Sequence, residues 1–145
     1  MPLTADIPIL DVVAAVLHDG HGRVLVTQRP AGKPHAGLWE FPGGKRHSGE
    51  AEVQCLVREL REELGVTIAA ADCAPLLDLE HRYPDRLVRL HVWSVSHFAG
   101  VPSGCEGQAL LWLAPAELDS VPLLPADGPI VKCLLRAAGT GRMAP

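Results

Sequence analysis

Three glutamates, Glu59, Glu62 and Glu63, sit at positions i, i+3 and i+4 of one charged run, Arg58-Glu59-Leu60-Arg61-Glu62-Glu63. On a helix of about 3.6 residues per turn this spacing gathers all three carboxylates into one sector of the surface. Like charges so placed oppose helix formation, and the arrangement makes most sense where a divalent cation neutralises them. Oxygen-only ligands favour Mg2+, with Mn2+ as a substitute. Upstream, Gly43-Gly44 offers backbone that can approach a ligand closely because no Cβ intervenes, and a carbonyl there could complete the metal's shell. Arg58, beside Glu59 and four residues before Glu62, carries a fixed guanidinium fork that could hold a carboxylate in its ligating orientation. Against this stands a bland reading: Glu and Arg are good helix formers, and a charged outer face is ordinary on any solvated amphipathic helix.

The glutamates need a helix to hold them, and residues 50–64 supply one. Val53, Leu56, Val57, Leu60 and Leu64 form an apolar stripe turned away from the carboxylates, and Gly65 is placed to stop it. Ahead of it, residues 9–17 are apolar and β-branched apart from Asp11. His18-Asp19-Gly20-His21-Gly22 breaks them before 23–29 resumes an extended pattern, which predicts a β-hairpin. Residues 30–37 read as a loop and 38–41 as a short strand running into a tight turn at Pro42-Gly43-Gly44. Further strands are predicted near 74–81, 87–98 and 109–113, with turn chemistry at Tyr83-Pro84-Asp85 and 100–107, and a final helix over 129–138. Strands mixed with two or three helices predict an α/β layered sandwich.

The bulk numbers set limits on the rest. A chain of 145 residues, 48% hydrophobic and 21% charged, predicts one ordinary globular domain spanning 1–145. Thirteen basic against seventeen acidic side chains, a net charge of -4, offer no footprint for a DNA or RNA backbone, although a small phosphate ligand can still be met by a local metal or arginine. Four cysteines without a C-x-x-C pair, and an N-terminus without a signal-peptide pattern, predict reduced thiols in a cytoplasm. No apolar run approaches the roughly 20 residues that cross a bilayer. The seven histidines show no metal-ligand spacing, and His91, alternating with Val92 and Trp93, reads as a strand-surface residue.

The full string Gly44-x5-Glu50-x7-Arg58-Glu59-Leu60-x-Glu62-Glu63-x-Gly65-Val66 decides between the two readings of the charged run. It resembles the Nudix box, G-x5-E-x7-R-E-U-x-E-E-x-G-U with U a bulky aliphatic residue, at every specified position. The resemblance to the MutT-like branch extends through Gln28-Arg29, the segment 38–44, Tyr83-Pro84-Asp85-Arg86, Glu106-Gly107-Gln108 and Pro125-Ala126-Asp127. It implies the Nudix fold, a mixed sheet between helices in an α/β/α sandwich. It implies metal ligation by Glu59, Glu62, Glu63, the Gly43 carbonyl and Glu106, and a catalytic role for the glutamates with Arg58, while Glu50 matches a glutamate of structural role. The implied reaction is water attack on a nucleoside triphosphate, typically at the β-phosphorus, giving a nucleoside monophosphate and pyrophosphate; which glutamate is the base stays open.

For the nucleotide, the resemblance places Arg29, Arg86 and Asp127 near the substrate, Tyr83 could supply an aromatic wall, and Phe41 is a further candidate binding residue. An arginine ending a strand is otherwise a solvated charge, and Asp127 is otherwise a helix N-cap. Asparagine occupies the Asp127 position in the 8-oxo-dGTP-hydrolysing relatives, and an ionised aspartate, which can only accept, suits cytosine N4 better than guanine O6. The chain also resembles the CTP pyrophosphohydrolase group. CTP, dCTP or a modified or oxidised nucleotide such as 8-oxo-dGTP is the expected substrate; the rivals are ADP-ribose or a nucleotide sugar, and a catalytically silent nucleotide-binding module. A small nucleotide as partner, no membrane, and a monomer or homodimer complete the expectation.

Overall fold

The computed structural model describes residues 7–143. The first residues of the N-terminus, on which the signal-peptide expectation bears, lie outside that range, as do the two ends of the expected domain. Seven strands and two α-helices follow in order: β1 (Ile9–Leu17), β2 (Val24–Gln28), β3 (Trp39–Glu40), β4 (Gly43–Lys45), α1 (Glu52–Leu64), β5 (Cys73–Tyr83), β6 (Arg86–Val95), β7 (Leu110–Leu113) and α2 (Gly128–Met143). They make a four-stranded sheet in the order β4-β1-β6-β5 and a three-stranded sheet in the order β3-β2-β7. The first is mixed, because β1 runs parallel to β6 while its other pairs are antiparallel. Among the described residues no helix is long and apolar enough to cross a membrane.

β1 is the middle of the molecule. Its side chains alternate between faces: Val13, Ala15 and Leu17 pack with Cys55, Leu56, Leu60 and Leu64 of α1, whereas Ala14 and Val16 pack with β2, β6 and with Ile130 and Leu134 of α2. A sheet with a helix on each face is the layered α/β arrangement the sequence predicts. The apolar stripe of α1 is what seats the helix, and the αL Gly65, at φ 71°, ends it. Glu50, expected inside the helix, precedes it; the Ala51 N–H is capped by Gln54 Oε1 at 2.9 Å.

Two expectations for the strands fail. β1 and β2 do not form a hairpin ladder: they lie in different sheets and share a single bridge, His18 with Val24. The turn chemistry is present, with the Asp19 carboxylate accepting from the His21 and Arg23 N–H groups, but both edges of β1 are already taken by β4 and β6, leaving no place for β2. The segment after Pro42 is also more than a turn, since Gly43–Lys45 pairs with β1 as β4. Only glycine permits that approach, because a Cβ on Gly43 would stand 1.9 Å from the Val13 carbonyl oxygen.

Candidate active site

α1 presents its glutamates to β4. Glu63 Oε2 accepts the Gly43 N–H at 3.0 Å, which turns this side chain inward beneath the strand. Burial first, and then the charges of Glu59, Glu40 and Glu106, push the Glu63 carboxyl up to about 8. Glu59 lies across Gly44, where a Cβ would come within 2.3 Å of its carboxylate. Burial also raises the Glu59 carboxyl, against the opposing pull of Arg58. The two glycines therefore answer first to the protein itself: Gly43 admits β4 to β1, and Gly44 makes room for Glu59.

Arg58 joins the group from outside the cleft. Its Nε and Nη2 hold Glu50 at 2.8 and 3.0 Å, its Nη1 reaches Glu59 Oε1 at 2.9 Å and Glu62 Oε1 at 3.0 Å, and Nη2 donates to the Lys45 carbonyl. The guanidinium is thus a positioning group shared among three carboxylates. Its hydrogen bonds hold Glu50 down at about 2. Glu62, with its side chain 53% exposed, is the outermost of the three box glutamates beyond Glu50. Cys55 is sealed in the core behind them, its thiol pushed up to about 12 by burial, which leaves it no part as a nucleophile.

Glu106 comes from the loop before β7, and a residue that the sequence reading named only within a matched segment, without a role, fixes that loop. Gln108 accepts the Glu106 N–H at 2.9 Å and donates to the Glu63 carbonyl at 3.0 Å, and the Cys105 N–H donates to the same carbonyl. Its signal was faint: a glutamine two residues past the acid, buried in a loop.

These parts meet along one cleft of about 420 Å³. Gly43, Gly44, Glu63 and Glu106 line it with Arg29, Phe41, Tyr83, Arg86 and Asp127, whereas Arg58, Glu59 and Glu62 stand behind or beside its wall. Glu40 of β3 also lines the cleft, and its charge acts on both Glu63 and Asp127. Both of its oxygens accept from Arg29 Nη1 at 3.1 Å, a part-buried pairing that sequence reasoning missed although a charge inside Leu38-Trp39-Glu40-Phe41 was its signal. Arg86 sits over the Tyr83 ring, 5.2 Å from its centroid. Asp127 is no N-cap: its Oδ2 accepts the Phe41 N–H at 3.2 Å, and burial pushes the carboxyl up to about 7. At neutral pH it is therefore not the dependable anion assumed from sequence.

The donor set suits a hard divalent cation. Glu59, Glu62, Glu63 and Glu106 offer oxygen only; burial raises the Glu59 and Glu63 carboxyls, and the neighbouring acidic charges raise them further, a repulsion that a dication would relieve.

Residues 12–133 match the NUDIX domain, and the chain belongs to that family of hydrolases. It is 42% identical over 132 residues to the CTP pyrophosphohydrolase of Escherichia coli, covering 90% of this chain and 96% of that protein. It is 34% identical over 127 residues to the E. coli 8-oxo-dGTP diphosphatase, covering 88% and 97%. Among solved structures, that of the E. coli ORF135 protein superposes with a TM-score of 0.80 at 38% identity, covering all of both chains. Nucleotide pyrophosphohydrolysis with a divalent metal is thus the chemistry of its kin.

Proposed function

We propose that this protein is a Mg2+-dependent nucleoside triphosphate pyrophosphohydrolase, acting on CTP, dCTP or a modified or oxidised nucleotide and releasing the monophosphate and pyrophosphate. One observation carries the reading: a single cleft is lined both by the carboxylates Glu63 and Glu106 and by the aromatic, arginine and buried acid groups Tyr83, Arg86 and Asp127. A polyphosphate laid along the first set places a base against the second.

Glu59, Glu62, Glu63 and Glu106, with the Gly43 carbonyl, would hold the metal, which supplies charge neutralisation of the triphosphate and acidifies water. The chain's own groups do the rest. A water oxygen bonds to the β-phosphorus, the bridging oxygen leaves with the α-phosphate, and a box glutamate takes the water's proton. Arg58 keeps Glu59 and Glu62 aimed through its paired bonds. Tyr83 and Arg86 offer a stacking wall, and Asp127 faces the base edge. Four free cysteines fit a reducing cytoplasm as the setting.

Pyrophosphate release measured side by side on CTP, dCTP, 8-oxo-dGTP and ADP-ribose with Mg2+ tests this. Fastest turnover of a triphosphate, with pyrophosphate as product, is the expected result; fastest turnover of ADP-ribose, or binding of nucleotide without turnover, overturns it.

A further inference from the structure

His91 is not the plain surface residue its strand pattern predicts. It projects from β6 on the face that α1 covers, with only 18% of its side chain exposed, and carboxylates from three other elements surround the ring. Nε2 meets Asp11 of β1; Nδ1 lies 2.9 Å from Asp78 Oδ1 of β5 and 3.6 Å from Glu52 Oε2 of α1. Glu52 opens the helix whose later turns carry the box glutamates, so Glu52 and Glu59 are roughly 10 Å apart along the axis.

We infer that Glu52, Asp78 and His91 form a second divalent-cation site, separate from the cleft, that takes a borderline transition metal such as Zn2+ in preference to Mg2+. The three ligand atoms lie within 4.8 Å of one another. An ion with bonds of about 2.1 Å spaces neighbouring ligands by about 3.0 Å in an octahedron and about 3.4 Å in a tetrahedron. The two distances from Nδ1, 2.9 and 3.6 Å, bracket those edges.

The surroundings orient each ligand as a metal site requires. Asp11, anchored by Arg46 Nη1 at 2.7 Å, faces Nε2 and can hold its proton, so that an ion would take Nδ1 in place of the hydrogen bond that now joins it to Asp78 Oδ1. Trp93 Nε1 holds Glu52 Oε1 at 2.8 Å and thereby directs Oε2 toward the ring. Asp78, with 78% of its side chain exposed, leaves the outer positions open to water and to entry of the ion. The surrounding acids favour the protonated ring, so a bound ion displaces a proton from it; with the imidazole then neutral, Asp11, Glu52 and Asp78 against Arg46 leave two negative charges, which one dication balances. The imidazole nitrogen selects for a transition metal, since Mg2+ favours an all-oxygen shell. Such an ion would tie the first turn of α1 to β5 and β6. The inference rests on this geometry alone and stands apart from the nucleotide reading.

The test uses the full chain, stripped with chelator and then held in saturating Mg2+ so that the cleft is filled. Zn2+ is titrated calorimetrically, and Co2+ is followed by its visible absorption. The expected result is one further ion per chain, lost in His91→Gln and in Asp78→Asn, weakened about 10- to 100-fold in Asp11→Asn, and kept in Glu59→Gln. Asp78 is exposed enough that its variant folds whatever becomes of His91→Gln. Absence of an added ion in the wild type, survival of binding in Asp78→Asn, or its loss in Glu59→Gln overturns the site.

Discussion

Glu59 and Glu62 hang on one guanidinium nitrogen, Arg58 Nη1, and removing either charge should change chemistry more than shape. Glu59→Gln or Glu62→Gln is expected to fold and to lose about 10²-fold or more in turnover, read as pyrophosphate release; wild-type rates in both would refute the assignment. Asp127 carries the pH dependence of base choice. Its folded-state pKa is raised from 3.8 to about 7, so it favours the folded state fully below its unfolded value, and that contribution is lost as pH rises through about 7. Below that pH the carboxyl both donates and accepts, as an asparagine does; above it, it only accepts. The ratio of 8-oxo-dGTP to CTP turnover should therefore fall as pH passes 7 in the wild type. In Asp127→Asn it should be flat and shifted toward 8-oxo-dGTP; identical pH profiles for the two proteins would count against the role. Residue types and spacing made the box glutamates legible from sequence. They could not show that Asp127 is buried, that Glu40 pairs with Arg29, or that His91 is ringed by acids from distant elements, because each depends on what the fold stacks above it.

α1 was legible because a stripe repeating at helical spacing has one solution, and the carboxylate face follows from it. The strands were harder. A run that is apolar on both faces, as in β1, says that it is buried but not beside which neighbour, and a glycine pair reads as a turn whether or not it joins a ladder. Those two glycines make a paired prediction. In Gly43→Ala the new methyl meets backbone, the Val13 carbonyl oxygen at 1.9 Å, so the cost should fall on stability, about 1–3 kcal/mol by denaturant melting. In Gly44→Ala it meets the end of a flexible side chain, Glu59, so melting should change little while turnover drops. Equal stability of the two variants would contradict this account of the turn.

At the scale of the molecule, acidic groups outnumber basic ones by seventeen to thirteen, and although acidic and basic side chains line the cleft in equal number, the charges of Glu59, Glu63 and Glu106 act on one another at its wall. Metal binding should therefore stabilise the whole domain. Mg2+ at a hundred times its dissociation constant adds about 2.7 kcal/mol, roughly 5–10 °C in melting temperature for a chain of this size, and Glu59→Gln should shrink that shift. No response of the wild type to Mg2+ would argue against ligation. β1 bears on the same scale, since one strand furnishes the inner wall for both helices through Val13 and Ala15 on one side and Ala14 and Val16 on the other. Neither half can loosen alone without stripping the other, so the amide protons of these residues should exchange with deuterium only through complete opening of the domain, and sheet and helices should be lost together in a single cooperative step.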